Sequence, residues 1–214
     1  MSGTYWNDER ARASSFFQWH VYRMAQDVVR NHGIRSVVDV GCGTGIKLVS
    51  LIAPFAAVWG IDQLSAIEYC RSNHNVGEFI VADLEQAGFE SDLEPGLIVC
   101  SDVVEHVMDP DVLLANIRGL CNRDTLILFS TPDRDRLRGA DCLTSPHPDH
   151  VREWSAAEFT RYLECRGFEV LDAKHLPPVR TAMNALFFQH LRQQWLRRLP
   201  YRYNYAVLCR VSAT

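Results

Sequence analysis

Residues 37 to 45 read Val-Val-Asp-Val-Gly-Cys-Gly-Thr-Gly, an apolar run that passes into three glycines spaced by single residues. Glycine permits a tight turn from strand to helix and lets a ligand approach backbone where any Cβ would collide. Asp39, two residues ahead of the first glycine, favours a cationic group on that ligand. A dinucleotide fingerprint needs Gly-x-Gly-x-x-Gly, so that amides at a helix N-terminus meet a pyrophosphate; here the third glycine arrives one residue early, at Gly45. Nor does the phosphate loop of nucleoside triphosphatases fit, because Lys47 is followed by Leu48 and not by Ser or Thr.

Around this loop, strand-like and helix-like patterns alternate. Residues 11 to 32 have helical spacing, with Phe17, Val21, Met24, Ala25, Val28 and Val29 as a buried stripe and His32-Gly33 as the stop. Strands are expected at 36–40, 57–61, 79–82, 96–100 and 126–130, the fourth apolar throughout, as a strand buried on both faces requires. Helices are expected at 46–54, 66–72, 111–121, opened by Asp109-Pro110, and 155–166, where Ser155 and Glu158 form a capping box. Strands at 168–173 and 203–211 flank a last helix near 181–198. Such alternation implies an α/β, Rossmann-like, doubly wound, mostly parallel sheet, with ligands at the carboxyl ends of the strands. A chain of 214 residues supports one domain. Within it, 1–35 is read as an N-terminal helical cap, 36–172 as the donor-binding core, and 173–214 as a basic helix and last strand shaping the acceptor site.

The motif Asp39-x-Gly41-x-Gly43-x-Gly45 resembles the first motif of the class I S-adenosylmethionine-dependent methyltransferases. That resemblance implies a seven-stranded sheet with an antiparallel C-terminal edge and S-adenosylmethionine as cofactor. Asp62, with Gln63 beside it, ends the second strand, where a carboxylate can accept from two ribose hydroxyls, as it does in that family; capping the next helix is its other reading. By analogy Asp83, ending the third strand, would accept from the adenine amino group, with Ala82 and Leu84 packing around the ring. Ser101 and Asp102 lie beside the methionine end. Tyr5 and Trp6 would form a lid and Arg23 would meet the donor carboxylate, unless the aromatic pair simply packs on its own domain.

Methyl transfer is a displacement at a sulfonium carbon, so a hydroxyl acceptor needs alignment and somewhere for its proton to go. Ser101-Asp-Val-Val-Glu-His106 and His147-Pro-Asp-His-Val-Arg-Glu-Trp154 both follow strands and would face one crevice. Together with 130–138 these segments are similar to methyltransferases found with glycosylation and natural-product gene sets. The preferred reading is His106 or His150 as base, with Glu105 orienting the imidazole; the plainer one is that Glu105-His106 fixes the loop. The resulting expectation is O-methylation of a small molecule or a glycan or nucleotide-linked sugar, without a metal. Two alternatives are a metal-dependent RNA terminal 2'-O-methyltransferase, using Asp102, Glu105, His106 and His150 as ligands, and a non-catalytic donor-binding or regulatory module.

Residues 1–172 hold 26 acidic and 15 basic side chains, and 173–214 none and seven, giving −11 and +7. The basic tail, where Met183, Leu186, Phe187, Leu191 and Leu199 oppose Arg192, Arg197 and Arg198, suits an anionic acceptor or a membrane surface, or merely a solvated face. An acidic body makes nucleic acid an unlikely partner. The seven cysteines are scattered without a Cys-x-x-Cys pair, and neither a signal core nor an 18-residue apolar stretch is present, so a cytoplasmic protein with reduced thiols is expected.

Overall fold

The computed structural model describes residues 16–88, 91–180, 185–196 and 200–212. Tyr5 and Trp6 lie outside the described residues, as do Met183, Arg197, Arg198 and Leu199. Strands β1 (Ser36–Val40), β2 (Ala57–Asp62), β3 (Glu78–Val81), β4 (Leu97–Ser101), β5 (Leu126–Pro132), β6 (Phe168–Leu176) and β7 (Asn204–Val211) form one sheet. Its order is β3-β2-β1-β4-β5-β7-β6. The first five strands run parallel, and β7 enters antiparallel between β5 and β6. The expected doubly wound sheet with an antiparallel edge is therefore what forms.

Successive side chains of the central strands go to opposite layers, as the two-residue strand period demands. Val38, Val40, Ile98, Cys100, Ile127 and Phe129 join one core with helices α3 (Pro110–Gly119) and α5 (Ala156–Cys165). Val37, Leu97, Val99 and Leu128 join the other, under α1 (Trp19–His32). Phe129 meets Phe159 and Phe168 edge to face, with ring centroids 6.3 and 5.6 Å away. The capping box at Ser155 and Glu158 forms as the spacing predicts, and Asp109 caps α3 through the Asp111 amide.

Several boundaries differ from expectation. The first helix starts at Trp19, because Gln18 adopts a left-handed φ of 65° and donates its amide to the Pro178 carbonyl. Phe17 pairs with Val179 in an isolated bridge and is exposed, so it leaves the predicted buried stripe. After the glycine loop the expected α-helix becomes a π-helical turn, Leu48–Ile52, closed by Ala53 N–H to Leu48 O. Its Leu48 and Ile52 are buried beside α1. A short helix α4 (Arg134–Arg138), capped by Asp133, was not expected from so polar a segment. Helices α2 (Leu64–Asn73) and α6 (Ala185–Leu196) complete the fold. On α6, Phe188, Trp195 and Leu196 are exposed.

Candidate active site

The glycine loop follows β1 directly, and Gly41, Gly43 and Gly45 all take positive φ, at 79°, 57° and 67°. Alternate left-handed residues explain the alternate glycines. Four of the loop's amides turn inward: Gly41 and Cys42 donate to the Ile61 carbonyl, Gly43 to Asp62 Oδ2 at 2.8 Å, and Gly45 to the Cys42 carbonyl. They make no cradle for a phosphate, in keeping with the motif. A Cβ on Gly41 would lie 2.3 Å from Val103 Cγ2, so the turn after β4 packs directly onto the loop.

Asp39 is fully buried, accepts from the Tyr22 hydroxyl at 2.7 Å through Oδ2, and has no hydrogen-bond partner at Oδ1. Burial is the main force on its carboxyl, partly offset by Tyr22 and by buried Lys47, and pushes its pKa up to about 7. A carboxyl whose folded value lies above its unfolded one holds a proton that unfolding releases, so this contribution is complete below about pH 4 and disappears as pH rises through about 7. Urea unfolding of the ligand-free protein should show stability falling across that window by up to ~4 kcal/mol, and Asp39→Asn should flatten the slope. An unchanged slope in the variant would mean that Asp39 is already ionised in the fold.

Asp62 ends β2 and accepts from the Gly43 amide and, at 2.7 Å, from the Gln63 amide. Gln63 is the N-cap residue of α2 but makes no side-chain cap, and Asp62 lies one residue ahead of it. Asp83 falls two residues beyond the end of β3, not on it. Its exposed carboxylate closes a local turn through the Glu85 amide and Gln86 Nε2. Ala82 and Leu84 pack against the main core beside it. Ser101 is buried at the end of β4, sharing a hydrogen bond with Ser130. Arg23 is exposed on α1.

The turn after β4 begins with Asp102 at a left-handed φ of 53°, a conformation few non-glycine residues adopt. It is held by its amide to the Ser130 carbonyl, by Ser130 Oγ at 2.6 Å and by Asn204 Nδ2 at 3.4 Å. Fully buried Glu105 follows, accepting from Thr131 Oγ1 at 3.1 Å through Oε2 while Oε1 has no partner. Burial, then the nearby Asp102, raises its carboxyl well above the usual range. The Val151 and Arg152 amides donate to the Glu105 carbonyl and stitch the 147–154 segment onto this turn.

His106 Nδ1 lies 2.8 Å from the Asp149 carbonyl, and His150 Nδ1 lies 2.8 Å from Glu153 Oε1. A carbonyl only accepts, so Nδ1 of His106 carries the proton and Nε2 keeps its electron pair. Glu153 is gripped by Arg138 at 2.7 and 3.0 Å. Burial works against its charge, but Arg138 and His150 outweigh that and hold Glu153 at about 2. An ionised Glu153 fixes the same tautomer on His150. Burial, only partly offset by Asp149, lowers His106, leaving it neutral at pH 7. The two rings meet edge to face at 4.7 Å, and His147 stacks on His150 at 4.1 Å.

The structure thus brings Glu105, His106 and His150 together, and leaves Asp102 tied to Ser130 and Asn204. Arg134 is committed to Glu158 at 2.9 Å and Asp135 at 3.2 Å and so serves the fold. Tyr22, Thr131, Arg138 and Asn204 were not singled out from the sequence. Each reaches the site from a distant element; only Tyr22 and Thr131, hydroxyls in largely apolar stretches, carried a local hint.

A family model described as a methyltransferase domain matches residues 7–173. A ubiquinone biosynthesis O-methyltransferase of Pasteurella multocida is 28% identical over 145 residues, covering 60% of each chain. The match therefore spans only about three-fifths of that relative's length. An S-adenosylmethionine-dependent methyltransferase of Clostridium acetobutylicum has the same fold, with a TM-score of 0.64 at 12% identity over 96% of each chain. The magnesium protoporphyrin IX methyltransferase of Synechocystis, solved with S-adenosylhomocysteine, gives a TM-score of 0.59 at 16% identity over 91% of this chain and 83% of its own. Among the described residues, no helix is long and apolar enough to cross a membrane.

Proposed function

The chain belongs to the methyltransferase-domain family, and from that premise we propose that it moves a methyl group from S-adenosylmethionine to a hydroxyl of a small molecule, such as a free or nucleotide-linked sugar or a phenol. The observation that carries this is the contact of Val103 with Gly41: one wall separates the loop after β1 from the turn bearing Glu105 and His106. The cofactor supplies an electrophilic methyl on a sulfonium. An unpartnered, buried Asp39 Oδ1 and a loop whose Gly41, Cys42, Gly43 and Gly45 amides are already engaged fit a cationic donor better than an anionic one. On this reading Asp39, Gly41, Gly43, Gly45 and Ser101 bound the donor site, with Asp62, Gln63, Asp83 and Leu84 toward its nucleoside end.

A hydroxyl acceptor would have to be aligned with that methyl and give up its proton. His106, neutral at pH 7, offers its Nε2 electron pair for that purpose, and His150, whose Nδ1 is likewise engaged, stands beside it. Relatives named as O-methyltransferases support a hydroxyl acceptor. The seven cysteines are free among the contacts described, which supports a reducing cytoplasm. Exposed Phe188, Trp195 and Leu196 on α6 support contact with a lipid surface or an apolar acceptor.

Calorimetry with S-adenosylhomocysteine, followed by transfer of labelled methyl to a panel of catechols, other phenols and sugar nucleotides, tests the proposal. One donor product bound per chain and label recovered as a methyl ether are expected. Absence of binding, or label appearing only on nitrogen, would overturn it.

A further inference from the structure

We propose that Tyr22, Asp39 and Lys47 form one buried proton-exchanging unit in the donor site, with Lys47 as a positioning residue that readies Asp39 to meet a ligand ammonium as a carboxylate. Lys47 immediately precedes the π-helical turn after the glycine loop and is only 5% exposed. Its Nζ lies 5.4 Å from the centroid of the Tyr22 ring, and the hydroxyl of that same ring donates to Asp39 Oδ2 at 2.7 Å. One tyrosine therefore links both charged partners. With Oδ2 occupied, the proton of a neutral Asp39 carboxyl stands on Oδ1, the buried oxygen that has no partner. Lysine is rarely buried unless paired, and the Tyr22 ring that this one meets packs with Val21, Leu48 and Ile52. Burying an ammonium is costly unless negative charge faces it. For Lys47 that charge comes from Asp39 and Asp102.

Burial raises the Asp39 carboxyl, Tyr22 and Lys47 pull it back, and the balance stands at about 7. Burial likewise brings Lys47 down to about 8, against the pull of Asp39 and Asp102. The other titratable groups facing Asp39 are Cys42 in the loop, Asp62 ending β2 and Cys100 on β4, while Asp102 acts on Tyr22 and Lys47. Burial keeps Tyr22 and Cys100 protonated, and the Cys70 thiol together with burial does so for Cys42. At Asp62 the Gly43 and Gln63 amides work against the effect of burial. Asp39 and Lys47 are thus the pair that exchanges protons near neutrality. A ligand ammonium arriving at Oδ1 favours the carboxylate: the O–H bond breaks, its electron pair stays on oxygen and the proton passes to the buffer. Lys47 keeps its own proton, because the newly ionised Asp39 faces it.

This inference deepens the donor half of the proposed reaction and rests on it for the identity of the ligand. S-adenosylhomocysteine carries the same methionine ammonium as the donor, so calorimetry in buffers of different ionisation enthalpy counts the protons that its binding releases. About 0.9 proton per ligand is expected at pH 6, about 0.5 at pH 7 and about 0.1 at pH 8, the pattern of a carboxyl that starts near 7. Lys47→Met removes a charge that opposes the effect of burial. Release at pH 8 should then rise to about half a proton, and affinity at pH 7 should fall about fivefold and recover toward pH 9. Tyr22→Phe keeps the ring over Lys47 but removes a hydrogen bond that acts in the same direction, so it should move the window the same way. Urea unfolding reports whether each variant folds. A lysine that merely fills space would leave the proton count unchanged at every pH. Binding without proton release at pH 6 would overturn the unit and leave the donor site standing, as would wild-type release profiles in both variants. No binding at any pH would remove the donor reading itself, and this unit with it.

Discussion

Gly41→Ala should cost ~2–5 kcal/mol of stability and abolish S-adenosylhomocysteine binding. Two effects add: a left-handed residue with a Cβ costs about 1–2 kcal/mol, and forcing a methyl into a packed contact costs about 1–3 kcal/mol. At φ +79° the new Cβ would stand 2.3 Å from Val103 Cγ2. Valine is stiff at χ1, so the strain passes to the backbone of the Asp102 turn, already left-handed. Gly33→Ala is the internal comparison: its φ is +62°, but nothing lies within 4 Å of the added Cβ. That variant should show the conformational cost alone and bind the donor product normally. Equal urea midpoints for the two variants would mean that the loop and the turn are not locked together.

Turnover is expected to fall by about 10²–10⁴ in the doubly substituted His106→Asn, His150→Asn protein, the range over which a placed proton acceptor acts. Donor binding should stay within a few-fold, because the contacts of the two rings are with Asp149, Glu153, His147 and each other. A module that only binds the donor would show no change in either quantity, for it has no turnover to lose. Retained turnover in the double variant would remove the acceptor-side role of both histidines.

The parts of this protein legible from its sequence are those governed by local rules. Parallel strands buried on both faces must be apolar throughout, and β4 and β5 announce themselves that way. Three alternate left-handed residues demand three alternate glycines. Capping at Asp109 and Ser155 follows from side chains that reach only two or three residues. Local rules fail where partners are distant in sequence. Tyr22 on Asp39, Thr131 on Glu105 and Asn204 on Asp102 join elements separated by 17, 26 and 102 residues. A tyrosine among helical apolar residues looks like any other core aromatic until the strand it meets is known. At Asp83 only the boundary differs: the strand expected to run to Ala82 stops at Val81.

The position of β7 has a consequence for the order in which the fold can be completed. This strand is the last of the described elements along the chain, yet it fills the gap between β5 and β6. During synthesis, β5 emerges long before its antiparallel neighbour, with Leu128 and Phe129 on an open sheet edge. Asn204, which steadies the Asp102 turn, arrives with that same strand. A nascent chain therefore has its glycine loop and both histidines in hand while the sheet that fixes the acceptor side is still unfinished. Completion of the sheet and completion of the acceptor site become one late event, so a partly made chain is poorly equipped to run the reaction.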